Sequence, residues 1–256
     1  MSNLIPLPPR EDGADWCRVE AKAPTAEQAE TVAEVHIYDE IGYWGTSAKD
    51  FASTVAELDV DLIRLYVNSP GGSAWDGVAI MNALRRHRAR VEVTVDGLAA
   101  SAASLICMAG DHITMNASAQ MMIHDASGLA WGNVQTMHDT AALLDKLSDS
   151  YADAYAKRAG GARARWRDVM RLETWYTAEE AVLAGLADEW DGSEKVAAAA
   201  AFSLDRFRFQ GRAHAPAPTL PRMGASPDFP VSSEPGYTPQ KEEDSMSYET
   251  LTAGLR

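Results

Sequence analysis

Short apolar runs alternate with helix-patterned segments along the middle of this chain, and that order restricts the fold more than any other feature. "EVHIYD", "DLIRLYV", "VEVTV", "HITM" and "QMMIHD" carry the β-branched or alternating pattern of strands. Between them lie "TSAKDFASTVAEL", which Thr46 or Ser47 can cap, "VAIMNALRRH", and a small-residue helix that Ser101 opens. Strands that alternate with helices pair in parallel, because each crossover helix returns the chain to the same end of the sheet. The expected architecture is α/β, a mainly parallel sheet covered by helices.

Downstream, Val134 to Arg158 forms the longest helical pattern, with Met137, Ala141, Leu144, Leu147 and Tyr151 at three- and four-residue spacings and a well-charged outer face. A helix that long is expected to project from a compact sheet and to serve an interface. "ARWRDVMRL" and "TAEEAVLAGLADEW" are predicted as shorter helices, the second capped by Thr177 with Glu180 three positions on. Residues 1–30 show no sustained period and read as an N-terminal arm. Residues 31–202 make the domain, and residues 203–256, rich in Pro, Ser and Gly, are expected to be a disordered C-terminal tail.

Charge and composition narrow the function classes. A net charge of −14 argues against a nucleic-acid surface, since phosphate binding needs clustered cations. The one basic cluster, "RRHRAR" at Arg85 to Arg90, falls at a helix C-terminus, where cations suit the helix dipole. Two cysteines, Cys17 and Cys107, make a disulfide framework unexpected and a reducing compartment the simpler setting. "MSNLIPLPPRED" lacks a signal-peptide core, and no apolar run approaches the roughly 20 residues of a membrane span. A soluble cytoplasmic protein with no membrane partner is expected. No P-loop pattern occurs, no metal or cofactor is expected, and any ATP-driven unfolding would come from a partner.

Three stretches hold residues suited to acyl transfer. "NSPGG", Asn68 to Gly72, follows a strand; Pro70 presets φ and the two glycines let backbone N–H groups turn outward, although any tight turn has this composition. Ser101, flanked by Ala99, Ala100, Ala102 and Ala103, opens a helix and is either a nucleophile beside unpaired N–H groups or a capping and packing residue. It lacks the glycines of the G-x-S-x-G elbow. His124 ends a strand-like run, as His36 and His112 do less clearly. Asp125 follows it but points to the opposite strand face, so the imidazole needs its carboxylate elsewhere.

In this order the three stretches resemble the proteolytic subunit of the Clp protease, a serine peptidase of the crotonase-like superfamily. "VNSPGG", "GLAASAAS" and "MMIHDAS" stand where that family has "INSPGG"-like, "GQAASMG"-like and "MIHQP"-like motifs, and the resemblance covers about residues 33–190. More narrowly, "IYDEIGYWGTSAKDF", "DGLAASAASLICMAGD" and "ETWYTAEEAVLAGLAD" are similar to the Clp-related head maturation proteases of tailed phages and prophages, which trim capsid or scaffold proteins during prohead assembly.

The resemblance implies a ClpP/crotonase-like fold of repeated ββα units with a projecting handle helix. It implies Ser101 as nucleophile, His124 as general base, and the backbone N–H groups of Gly72 and Ala102 as oxyanion donors. The third member departs from the family pattern: the Asp that precedes "RFLSAPEA" is replaced in "ETWYTAEEA" by Glu173, with Asp168 as its rival. The implied activity is an ATP-independent serine endopeptidase that works through an acyl-enzyme on capsid or scaffold protein. It would be assembled with itself into a ring or stacked rings, in the host cytoplasm or inside the prohead.

Three other readings stay open. A Ser-Lys dyad would need one of Lys22, Lys49, Lys146, Lys157, Lys195 or Lys241, none of which lies in a matching strand or turn. An enoyl-CoA hydratase relative would share the sheet but use carboxylates on acyl-CoA. A weakly active or inactive ring could serve as an assembly or scaffold protein.

Overall fold

The computed structural model describes residues 30–42, 45–192 and 202–220, together with two strands nearer the start of the chain. Elements follow the order β1 (Asn3–Leu4), β2 (Cys17–Lys22), β3 (Val32–Ile37), α1 (Ala48–Ala56), β4 (Leu62–Ser69), α2 (Ala74–Arg86), β5 (Arg90–Ala100) and α3 (Ala102–Cys107). They continue with β6 (His112–Asn116), β7 (Gln120–Ile123), α4 (Val134–Ala159), α5 (Arg163–Arg171), β8 (Thr174–Thr177), α6 (Ala178–Leu183) and β9 (Glu189–Asp191). The α/β expectation holds: β3, β4, β5, β6 and β9 pair in parallel.

Two segments read as lacking strand structure join the sheet. In the expected N-terminal arm, β2 pairs antiparallel with β3, and β1 with β2. "ETWYT", which carries no secondary-structure expectation ahead of the Thr177-capped helix, supplies β8, antiparallel to β7. Its Trp175 and Tyr176 are buried on opposite faces, so no polar alternation marks it as a strand.

The sheet forks at β5, and the fork builds the site. Sequence reading ended this strand at Asp96-Gly97, but it continues to Ala100. Its first half, Glu92 to Val95, pairs with β6, whereas Leu98 to Ala100 pair with β7. The register against β4 also shifts between Val67 and Ser69. Buried Asn68 bridges the irregularity by accepting a hydrogen bond from Leu98 N–H at 3.1 Å, and a Cβ on Gly97 would lie 2.9 Å from that Oδ1. A side-chain acceptor thus replaces a lost ladder bond.

Alternate residues of the forked strands face two cores. Ala99, Met121 and Tyr176 point into the main core beneath the helices, with Leu105, Ile106, Tyr151 and Tyr155. Ala100, Met122 and Trp175 point the other way, into a smaller cluster closed by Phe207, Leu204 and Phe209. The expected disordered tail therefore does not begin at residue 203. Residues 202–220 lie on the sheet, with Phe207 only 7% exposed; burying an aromatic of that size contributes roughly 1.5–3 kcal/mol. "FSLDRFRFQ" carries the apolar side chains that do this ahead of the Pro-rich composition. Residues 221–256 fall outside the described residues.

The long helix matches its predicted span, and only part of it packs. Leu147, Ser148, Tyr151, Ala152, Ala154 and Tyr155 are buried, whereas Met137 and Leu143 are exposed and Leu144 is half-buried. Leu129 and Trp131, just before the helix, are fully exposed. Its packed half is fixed by Arg167 of α5, whose guanidinium reaches Asp125, Asp145 and Asp149. Among the described residues no helix is long and apolar enough to cross a membrane.

Candidate active site

β5 delivers Ser101 and β7 delivers His124 to the same edge of the fork. Ala100 is opposite Met122 in the ladder, and Ser101 N–H donates to Met122 C=O at 2.9 Å, two residues before His124, which follows the strand. From there the chain turns at once into α3. Ser101 makes that turn with φ 55° and ψ −123°, outside the regions open to most L-residues. Only one other non-glycine residue among those described has positive φ, Glu173 at 53°. Strain of this kind costs about 1–3 kcal/mol per residue and persists where the surroundings enforce it. Here the enforcement is close packing: Ala102 and Ala103 are fully buried, and a Cβ on Gly77 of α2 would come within 2.9 Å of Ala102 Cβ. The alanines thus allow a sharp strand-to-helix turn without the flanking glycines of the G-x-S-x-G elbow.

His124 Nε2 lies 2.7 Å from Ser101 Oγ, a short hydrogen bond between base and hydroxyl. Burial lowers the imidazole pKa from its ordinary value, because the charged form loses hydration; Glu173 opposes this by its negative charge, and Arg206 adds to it by its positive one. The net result favours the neutral, proton-accepting form. The neighbouring serine is placed differently: Ser104 is fully buried, donates to Ser101 C=O at 2.6 Å and shares a 2.9 Å bond with Tyr155 O–H.

The Asn68–Gly72 turn packs directly against the Ser101 turn. Ser69 Oγ donates to Asp39 C=O at 2.6 Å and accepts from Gly71 N–H at 3.1 Å, pinning the turn from within. Gly71, at φ 82°, has no space for a side chain: a Cβ would lie 2.4 Å from Ala100 O, 2.8 Å from Ser101 Cβ and 2.9 Å from Ala102 N. Gly72 bridges to Ile41 in parallel register, with Ile41 N–H donating to Gly71 C=O and Ser73 N–H to Ile41 C=O. That pattern leaves the N–H of Gly72 itself directed away from Ile41. Ala102 N–H, the first of α3, has no acceptor within its own helix.

The structure does not bring every expected carboxylate to the imidazole. Glu173 is near enough to influence His124 electrostatically, yet no hydrogen bond joins them. Its carboxylate instead accepts from Arg208 N–H at 2.7 Å, Phe209 N–H at 2.9 Å and Trp175 Nε1 at 3.2 Å. Asp168 is exposed and pairs with Arg171 at 2.8 Å, and Asp125 is held by Arg167. Among the other histidines, His36 stacks on Tyr66, and His112 lies 3.2 Å from Glu189 at the far end of the sheet. No group of three or more His, Cys, Asp or Glu residues suited to a metal occurs among the described residues.

One part of the site was missed in the sequence. Phe207 sits edge-on to His124, ring centroids 5.6 Å apart, and Arg206 donates to Pro70 C=O in the glycine turn at 2.7 Å while pairing with Glu40. No motif marks these residues, and only the apolar spacing of Leu204, Phe207 and Phe209 hinted at burial.

A Clp protease family model matches residues 34–190, more than half of the chain. The chain belongs to the Clp protease family. It is 32% identical over 129 residues to the ATP-dependent Clp protease proteolytic subunit of Deinococcus radiodurans, covering 50% of this chain and 63% of that one. It is 32% identical over 163 residues to the corresponding subunit of Bacteroides fragilis, covering 59% of this chain and 78% of that one. Among solved structures, a ClpP1 mutant from Listeria monocytogenes superposes with a TM-score of 0.56 at 22% identity, covering 63% of this chain and 92% of that one. That likeness establishes a shared fold. The matched span ends at residue 190, so the segment that touches His124 and Glu173 lies beyond it.

Proposed function

We propose that this Clp-family chain is a serine endopeptidase in which Ser101 is the nucleophile and His124 the general base. The observation that carries this reading is the 2.7 Å bond between His124 Nε2 and Ser101 Oγ at a strained strand-to-helix turn. His124 takes the hydroxyl proton as Ser101 Oγ attacks a peptide carbonyl carbon, then passes it to the departing amine; water, deprotonated by the same imidazole, releases the acyl group. The backbone N–H groups of Gly72 and Ala102 are the proposed oxyanion donors. Glu173 is the proposed third member, acting on His124 through its charge. Base and oxyanion donors retain partial catalysis without an ideal third carboxylate.

The chemistry needs no nucleotide, and we propose ATP-independent cleavage of peptide substrates. The narrower resemblance supports capsid or scaffold protein as the substrate, during phage head maturation in the host cytoplasm or inside the prohead. The test is intact-mass analysis after fluorophosphonate treatment of the native chain, Ser101→Ala and His124→Ala. A single adduct on the native chain that both substitutions abolish is expected. Labelling that persists in Ser101→Ala would overturn the assignment. Cleavage of the candidate capsid protein by the native chain and not by Ser101→Ala tests the substrate.

Assembly is a second reading, compatible with the first. Trp131, 98% exposed, together with Leu129, Val134, Met137 and Leu143, presents apolar side chains to solvent at one end of α4. Surface of that kind marks an interaction site. We propose that it joins copies of this chain into a homo-oligomeric ring or stacked rings. A folded oligomer with no serine-dependent cleavage would favour a scaffold role alone.

A further inference from the structure

Residues 202–220 touch three parts of the proposed site, the glycine turn, the base and the third-member carboxylate. Arg206 binds the glycine turn through Pro70 C=O, Phe207 stands against the His124 ring and fills the cluster of Ala100, Met122 and Trp175, and Arg208 and Phe209 give their N–H groups to Glu173. Farther on, Arg212 forms a two-bond ion pair with Glu180, both at 2.6 Å, and its N–H donates to Gln120 at 2.8 Å. The fixing points at the two ends, Arg206 and Arg212, are polar and partly accessible. The centre occupies the apolar surface beside the base.

We propose that this segment is an intramolecular strap that blocks the Ser101–His124 site and draws Glu173 away from the imidazole, and that its displacement activates the site. The inference rests on the endopeptidase reading above. Three features argue for it. The carboxylate that the third-member role requires is engaged by two strap N–H groups while making no hydrogen bond to His124. An aromatic ring stands edge-on to the imidazole, 5.6 Å between centroids, and leaves Ser101 and His124 only half-exposed. The strap is held by arginine pairs: Arg206–Glu40 is partly exposed, and a competing anionic or peptide partner can exchange a pair of that kind at low cost, whereas the more buried Arg212–Glu180 pair holds the far end.

Neither arginine side chain hydrogen-bonds Ser101, His124 or Glu173, and because the Arg206 charge lowers the His124 pKa, labelling is compared at a pH well above the usual histidine range, where the imidazole is neutral in both proteins. The experiment compares the full native chain with Arg206→Ala/Arg212→Ala. It measures the fluorophosphonate labelling rate of Ser101 and the hydrogen exchange of the Arg208 and Phe209 amides. A strap that closes the site scales the labelling rate by the fraction of time it is open, so release is expected to accelerate labelling at least about tenfold, with faster exchange at both amides. Faster exchange with unchanged labelling would overturn the proposal. Faster exchange with slower labelling would do the same and assign the segment to positioning Glu173. Unchanged exchange would refute the two arginines as the anchors. A peptide of residues 202–220 added to the double variant is expected to slow labelling again, and failure to do so counts against occlusion. No adduct on Ser101 in either protein, with exchange accelerated, would instead remove the endopeptidase reading.

Discussion

Gly71→Ala tests the coupling between the glycine turn and the Ser101 turn. At φ 82° an L-residue costs about 1–2 kcal/mol over glycine. The new methyl group would also sit 2.4 Å from Ala100 O and 2.9 Å from Ala102 N. Those are backbone atoms of the β5–α3 junction, so no rotamer change relieves the clash. Overpacking of this kind adds about 1–3 kcal/mol. Relief requires the two turns to separate, which displaces the Gly72 and Ala102 N–H groups from each other and from Ser101. Loss of one oxyanion donor costs about 2.7–4 kcal/mol, or roughly a hundred- to thousandfold in rate. The assay is the rate of fluorophosphonate labelling alongside thermal melting. Gly160→Ala is the control: its φ is 76° with nothing within 4 Å of the added Cβ, so it carries the conformational cost alone. It should melt lower by about 2–8 °C while labelling at the native rate. Labelling of folded Gly71→Ala within about tenfold of native, or an equal loss in Gly160→Ala, would refute the reasoning.

Other expectations follow from the same geometry. Ser104→Ala leaves the Tyr155 hydroxyl without its serine partner in the core; it should lower stability by about 1–3 kcal/mol yet keep Ser101 reactive, whereas Ser101→Ala should abolish labelling. Loss of labelling in folded Ser104→Ala would count against the assignment of the nucleophile. Because burial depresses the His124 pKa, labelling should fall only as pH drops through a value below the usual histidine range. Arg206→Ala removes a positive charge and loosens the cover over the ring, both of which raise that pKa, so the acid limb should move to higher pH. A limb that stays or moves lower would contradict the electrostatic account. Trp131→Asp should reduce the oligomer mass measured by light scattering without changing the melting temperature, since that side chain is exposed within the chain.

Much of this protein was legible in its sequence. Alternating strands and helices specified a mainly parallel sheet, because the apolar period of each segment is a local property. Three ordered motifs brought Ser101, His124 and the glycine turn forward together, although each alone admitted a bland reading. The span of α4 was readable from its apolar stripe, and the structure adds the Asn133 and Gly160 caps that end it. What the sequence left open depended on partners distant along the chain. The extension of β5 past Gly97 is fixed by Asn68 and by pairing with β7. Trp175 and Phe207 bury each other across 32 residues, so neither run shows a period that predicts the contact. The role of Glu173 was decided last. Sequence position set it where the family has its third carboxylate, but whether a carboxylate meets an imidazole depends on competing donors. Here the Arg208 and Phe209 N–H groups and the Trp175 indole, brought in by tertiary packing, claim its oxygens. Hydrogen bonds form between groups that meet in space, and a strap arriving from beyond the family domain leaves no mark on the motif it engages.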